Sequence, residues 1–179
     1  MKSWTTRSRK TVFSQTKWLT VEHHEVELPD GRIIPDWIWV ISPDYVNVVA
    51  CTEDEHFLMF RQTKYGVKGD TLAIVGGYLN PDEEPLTAAR RELVEETGYT
   101  AEKWIDLGHF LVDPNRGIAT GHLYLAMESR FVASPIQDDL EEQELILLTR
   151  EELKKALDQG EIKVLAWAAA ISFALARLP

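Results

Sequence analysis

The chain has 179 residues, of which 45% are hydrophobic and 27% charged, so one domain with a sizeable core is expected and intrinsic disorder is not. Its formal net charge of −10 disfavours nucleic-acid backbones and anionic membranes as partners. A small anionic substrate stays compatible with it, because cations held by carboxylates reverse the local field.

The first ten residues, Met1 to Lys10, are polar and basic with no apolar core behind them, which is not the pattern of a signal peptide. Residues 1–15 show no period and read as a mobile lead or a short edge element. Trp18 to Val26 is extended, Pro29-Asp30-Gly31 is a turn, and Ile33 to Ile41 is a second, aromatic-rich strand, so the two form a hairpin. Tyr45 to Thr52 and His56 to Gln62 are strands around the turn Glu53-Asp54-Glu55. Cys51, the single cysteine, lies in the apolar stretch Val48-Val49-Ala50-Cys51; it can form no intramolecular disulfide and reads as structural, which points to the cytoplasm.

Thr71 to Val75 is a short strand that runs into Gly76-Gly77. A helix follows from Pro85 to Thr97, with proline in its first turn and Gly98 as its left-handed stop. Leu86, Ala89 and Leu93 share its core-facing side. Strands are expected at Trp104–Leu111, Gly121–Ser129 and Leu145–Leu148. Thr149 to Glu152 has capping-box spacing and opens a helix that ends near Gly160. The last helix covers Lys163 to Arg177. Its apolar run, Leu165 to Leu175, is shorter than the roughly 20 residues a membrane span needs, so it reads as buried. Strand runs interleaved with few helices make the domain α+β or sandwich-like.

The segment Gly77 to Tyr99 carries the chemistry: GYLNPDEEPLTAARRELVEETGY. Glu92 lies three residues before Glu95 and four before Glu96, so the three carboxylates share a helix face. Like charges at that spacing destabilise a helix by roughly 0.2–0.5 kcal/mol per pair. Hard divalent cations with oxygen ligands remove the repulsion. Arg91 and Glu83 carry opposite charge and can pin the preceding loop to the helix, and Gly76 and Gly77 permit a tight backbone with an exposed carbonyl. A Glu-rich helix alone reads as a solvated acidic face with Arg91 as a surface partner. Glu83, Gly77 and Gly98 at fixed spacing reverse that reading.

With Gly77, Glu83, Arg91, Glu92, Glu95, Glu96 and Gly98 at its fixed positions, the segment resembles the box of the Nudix hydrolase superfamily. The resemblance implies an α/β/α sandwich with a mixed central sheet. It implies a loop–helix–loop binding Mg²⁺, or Mn²⁺, through Glu92, Glu96 and the Gly76 carbonyl. Glu95 would be a ligand or the water-orienting base, and Glu83, Arg91, Gly77 and Gly98 structural. Tyr99 stands where the family usually has an aliphatic residue. The implied reaction is hydrolysis of a pyrophosphate link to two monophosphates.

Beyond the box, residues 16 to 177 resemble the ADP-ribose pyrophosphatase and nucleoside diphosphate sugar hydrolase branch. The resemblance is carried by Trp18-Leu19-Thr20-Val21 with Pro29-Asp30-Gly31, by Phe57 to Gln62 ending in Arg61-Gln62, by Pro114 sixteen residues after Gly98, and by the acidic loop Asp138 to Glu144 before Gly160-Glu161-Ile162 and a C-terminal helix. It implies ADP-ribose as substrate, with GDP-mannose, another nucleotide sugar or a nucleoside triphosphate as the alternative, and a non-catalytic ligand sensor as a further one. Glu141, then Glu142, would be catalytic carboxylates over the metals; a solvated charge run is the other reading of that loop. Trp18, Trp37, Trp39, Arg61 and Pro114 are candidate substrate contacts. Core or interface packing is the alternative for the tryptophans, and a salt bridge at the sheet edge for Arg61. The resemblance divides the chain into an N-terminal strand extension, 1–41, that contributes to a homodimer, and a hydrolase domain, 42–179. None of the five histidines shows zinc spacing, and none receives a role.

Overall fold

The computed structural model describes residues 2–15, 17–136 and 142–178. They fall into two compact units, one of residues 1–44 with 110–120 and the other of 45–109 with 121–179.

The first unit is built on a three-stranded antiparallel sheet of β1 (Thr5–Gln15), β2 (Leu19–Glu27) and β3 (Ile33–Ile41), in that spatial order. Of the two readings of residues 1–15, a mobile lead or a short edge element, the structure has the edge element, but as an eleven-residue strand rather than a short one. All of its residues are exposed, so no apolar alternation marks it, and bulges after Thr6 and Thr11 break what period it has. Its hydrogen-bond ladder to β2 holds it in place. Arg7, Arg9 and Lys10 blunt its free edge against further pairing. Residues 113–117 add a tight turn to this unit: Asp113 Oδ1 accepts the Asn115 amide at 2.8 Å, and the Gly117 N–H donates to the Asp113 carbonyl at 2.8 Å. Gly117 has φ +68°, and a Cβ there would lie 2.0 Å from the Trp39 ring.

The second unit has a mixed sheet between helical layers. The elements after β3 are β4 (Tyr45–Thr52), β5 (Phe57–Thr63), β6 (Asp70–Ala73), β7 (Val75–Tyr78), α1 (Pro85–Thr97), β8 (Tyr99–Thr100), β9 (Lys103–Asp113), β10 (Ile118–Phe131), β11 (Gln143–Leu148), α2 (Arg150–Asp158) and α3 (Leu165–Arg177); residues 110–113 of β9 and 118–120 of β10 belong to the first unit and the rest to the second. The main order is β11-β5-β4-β10-β8, with β6 on β5, β7 on β4 and β9 on β10. β4 and β10 run parallel; β4 with β5 and β7, β5 with β6 and β11, and β10 with β8 run antiparallel. The stretch Thr71 to Val75 is therefore two strands, because Ile74 is where pairing switches from β5 to β4.

Alternation along β4 and β10 divides the core into two layers. Val46, Val48, Ala50, Tyr124 and Ala126 pack with Ala88, Ala89 and Leu93 of α1. Val49, Cys51, Leu123 and Leu125 pack with Leu153 and Ala156 of α2 and Ala170, Ile171 and Ala174 of α3. The sheet is thus covered by α1 on one face and by α2 and α3 on the other.

Helix ends follow local chemistry. α1 starts at Pro85 and stops at Gly98, whose φ of 73° is left-handed and whose N–H reaches the Val94 carbonyl at 2.9 Å. Thr149 and Glu152 form the reciprocal capping box of α2. Among the described residues, no helix is long and apolar enough to cross a membrane.

Candidate active site

α1 presents its polar side to the loop 76–83, and Arg91 organises the contact. Its Nε donates to Glu83 Oε1 and its Nη2 to Glu83 Oε2, both at 2.9 Å. Its Nη1 donates to Glu92 Oε1 at 2.7 Å and to Glu95 Oε2 at 3.0 Å, while Nη2 also reaches the Tyr78 carbonyl at 3.3 Å. Glu83 closes its own turn by accepting the Asn80 N–H at 2.9 Å. One guanidinium thus ties the loop to two of the three helix glutamates. These ion pairs hold the Glu83 carboxyl down to about 2, Arg91 contributing most and the Asn80 amide next. The same three carboxylates push the Arg91 guanidinium upward, Glu83 first.

Glu92 and Glu96 converge on the two glycines. The Gly76 N–H donates to Glu96 Oε2 at 3.1 Å. A Cβ on Gly77 would lie 2.1 Å from Glu92 Oε1, so the carboxylate occupies the space a side chain there would fill. Burial pushes the Glu92 carboxyl up, against the lowering pull of Arg91. β4 backs this loop: Val46 pairs with Gly77 and Asn47 with Gly76.

Three groups of residues expected from the sequence come together, each within one unit. The first is Gly76, Gly77, Glu83, Arg91, Glu92, Glu95 and Glu96, just described, with Gly98 closing α1. The second is Trp37, Trp39 and Pro114, which line a cavity of about 290 Å³ in the first unit with Trp4, His24 and Asn115. There Trp37 meets Trp4 edge-on at 5.3 Å, and Trp39 stacks on His24 at 5.3 Å. Trp37 Nε1 donates to the Asn115 carbonyl at 2.8 Å, and the Arg116 guanidinium lies 5.2 Å from the Trp37 ring. The third is Arg61 and Glu142, which border a groove of about 300 Å³ with Gln62 and Asp70. Arg61 is held in ion pairs with Asp70 at 3.0 Å and Glu161 at 3.7 Å, the salt-bridge reading, though on a strand flanked by β11 and β6 rather than at a sheet edge. Trp18 is outside the aromatic cavity; it is 49% exposed, with the Lys17 ammonium 4.5 Å from its ring. Glu141 lies outside the described residues.

The NUDIX domain model matches residues 42–168, and the model of the nucleoside diphosphate sugar hydrolase N-terminal domain matches residues 4–40. The chain belongs to the Nudix hydrolase family. It is 31% identical over 158 residues to an ADP-ribose pyrophosphatase of Bacillus subtilis (strain 168), covering 88% of this chain and 84% of that protein. It is 32% identical over 140 residues to a methanol dehydrogenase activator of Bacillus methanolicus, covering 77% and 75%. It is 28% identical over 137 residues to a CMP-5'-(N-acetyl-N-hydroxy-3-aminopropyl)phosphonate hydrolase of Streptomyces rubellomurinus (strain ATCC 31215), covering 75% and 64%. In fold it matches the crystal structure of an ADP compounds hydrolase, with a TM-score of 0.79 at 20% identity over 97% of this chain and 92% of that one.

The Nudix site offers carboxylate oxygens, the donor type of a hard-cation site. Among the described residues, no three His, Cys, Asp or Glu side chains are gathered to hold an ion as they stand. Arg91 draws Glu92 and Glu95 to itself, which keeps their charges compensated. The cradle at Gly77 nonetheless places Glu92 against the loop backbone, and Glu96 reaches Gly76 beside it, so the residues fit a divalent cation.

Three participants were not foreseen. Asn47 is a buried polar residue of β4 in contact with Gly76. Its signal was present: it is the polar residue inside Tyr45-Val46-Asn47-Val48-Val49. Trp4 and His24 of the aromatic cavity had none, since Trp4 stands in an exposed stretch just before β1 and His24 differs in no local pattern from His23.

Proposed function

We propose that this Nudix hydrolase cleaves the pyrophosphate link of a nucleoside diphosphate sugar in the cytoplasm, with Mg²⁺ or Mn²⁺, foremost ADP-ribose to AMP and ribose 5-phosphate. The observation that carries the reading is the convergence of Glu92 and Glu96 on Gly76-Gly77, with Glu95 beside them on one face of α1. The similarity to the B. subtilis protein, named for ADP-ribose, supports that substrate as the first to test.

Glu92, Glu96 and the Gly76 carbonyl would hold the cation, with Glu95 as further ligand or base. When bound, such an ion neutralises phosphate oxygens and lowers the pKa of a coordinated water. Water oxygen bonds to one phosphorus, the bridging P–O bond breaks, and the departing phosphate keeps that oxygen. A carboxylate accepts the proton of the attacking water. Glu95 is the candidate among the described residues, because its carboxylate is 41% exposed and so within reach of solvent; Glu142, also exposed, is the second. The aromatic-lined cavity of the N-terminal unit suits a planar base. Residues 1–41 are assigned to a homodimer interface.

The deciding experiment incubates the pure protein with ADP-ribose, GDP-mannose, other nucleotide sugars and nucleoside triphosphates in Mg²⁺, and weighs the products. AMP and ribose 5-phosphate at the highest kcat/KM support the reading. Preferential cleavage of GDP-mannose or a triphosphate replaces the substrate, and tight binding without products replaces catalysis by sensing. A strictly monomeric mass at micromolar concentration refutes the dimer.

A further inference from the structure

Asn47 is 3% exposed, and among the described residues its Nδ2 has no hydrogen-bond partner. A buried donor without an acceptor is destabilising. Its neighbours in β4, Val46, Val48 and Val49, are apolar and fully buried, so packing alone favours an aliphatic residue here. The carboxamide is therefore a liability in the fold, and its placement shows what it serves. Asn47 pairs with Gly76 across the β4–β7 ladder. A Cβ on Gly76 would sit 2.6 Å from Asn47 Oδ1 and 2.5 Å from the Val46 carbonyl oxygen. The carboxamide thus occupies, beside the Val46 carbonyl, volume that glycine leaves open. Gly76 is also the residue whose N–H binds Glu96, and the next residue, Gly77, is the one against which Glu92 rests.

We infer that Asn47 is a positioning residue for the cation site: its carboxamide, matched to the missing side chain of Gly76, fixes the Gly76-Gly77 backbone on which Glu92 and Glu96 converge. This rests on the proposed cation-dependent hydrolysis. The effect passes through the backbone, from β4 to β7 to the carboxylates. Supporting groups of this kind typically change metal affinity by about 10- to 100-fold when removed.

The test separates positioning from packing. Asn47→Val keeps a strand-forming, buried side chain and deletes the unsatisfied donor, so its Tm should equal or exceed that of the unaltered protein. Its Mn²⁺ affinity, measured directly by electron paramagnetic resonance of free Mn²⁺, should fall about tenfold or more. Half-saturating Mg²⁺ for turnover should rise by the same factor, with kcat at saturating Mg²⁺ largely retained. Asn47→Ala, which adds no bulk, should show the same loss of affinity and covers the case in which valine does not fit. Mn²⁺ affinity unchanged in both Asn47→Val and Asn47→Ala overturns the inference. So does a loss of affinity that follows a fall in Tm of the same rank in every variant. If the unaltered protein binds no Mn²⁺, the proposed cation dependence fails first, and the inference with it.

Discussion

Arg91 and Glu83 meet as a bidentate pair, Nε to Oε1 and Nη2 to Oε2, each at 2.9 Å, and this pair fastens the loop before α1 to the helix. Both side chains are shielded, at 26% and 12% exposure, so the contact is stronger than an exposed ion pair. Lysine carries the charge without the planar fork. Arg91→Lys should therefore lower unfolding stability by about 1–3 kcal/mol, read from urea midpoints at constant m-value. An unchanged midpoint would show that the pair does not hold the loop.

The same pair sets an acid limb. Glu83 is held down to about 2 by Arg91 and by the Asn80 amide, below the value of roughly 4.3 expected in an unfolded chain. A carboxyl lowered in the folded state stabilises fully above its unfolded value, and that contribution fades as pH falls through the folded value. Between about pH 4.3 and 2 the unfolded chain binds the extra proton at this site. Glu83→Gln should make stability flatter across that interval, with a loss at neutral pH that is not recovered by acid. Parallel pH curves for the two proteins would refute the assignment.

Glu92 behaves in the opposite sense. Burial raises its carboxyl more than Arg91 lowers it, so its ionisation opposes folding. The stability such a group contributes is present below its unfolded value and is lost as pH rises through the folded one. Glu92→Gln should then keep Tm at pH 7 in chelator at or above that of the unaltered protein. Turnover in Mg²⁺ should fall by at least about 100-fold, equivalent to about 2.7 kcal/mol of transition-state stabilisation. Retained turnover would remove Glu92 from the site.

Gly77 tests the cradle without touching a charge. A Cβ there collides with the end of the Glu92 side chain, which can swing aside, rather than with backbone. Gly77→Ala should fold with a Tm within a few degrees of the unaltered protein while losing about tenfold or more in Mg²⁺ affinity. Equal affinity would mean that Glu92 does not need the position it occupies.

The second unit was largely legible in the sequence because its elements carry local signals. Pro85 and Gly98 bound α1, Thr149 and Glu152 cap α2, and the apolar runs of β4 and β5 name the core. The spacing of Glu92, Glu95 and Glu96 disclosed their common helix face, since helical geometry dictates it, while their approach to Gly76-Gly77 was only what the family resemblance implied. Features that depend on distant partners were not legible. β1 has no buried face, the break at Ile74 depends on which strand each half meets, and Asn47 acquires meaning only once Gly76 lies beside it. Arg61 was ambiguous for the same reason, its partners Asp70 and Glu161 being supplied by other segments.

Trp37 and Trp39 make the proposed base site separable from the chemistry. Trp37 is fixed by its hydrogen bond to the Asn115 carbonyl and by the edge of Trp4, and Trp39 by stacking on His24 and by contact at Gly117. Such prior ordering lowers the entropy lost when a flat ligand enters. Stacking on an aromatic ring contributes about 1–3 kcal/mol per base. Trp37→Ala should therefore raise KM for the best nucleotide substrate by about tenfold and leave kcat within about twofold, because the contact exists equally in ground and transition states. Trp39→Ala tests less cleanly, since its ring also packs the turn at Gly117. A Trp37→Ala protein with unchanged KM would move the base elsewhere and leave the cavity a packing feature of the N-terminal sheet.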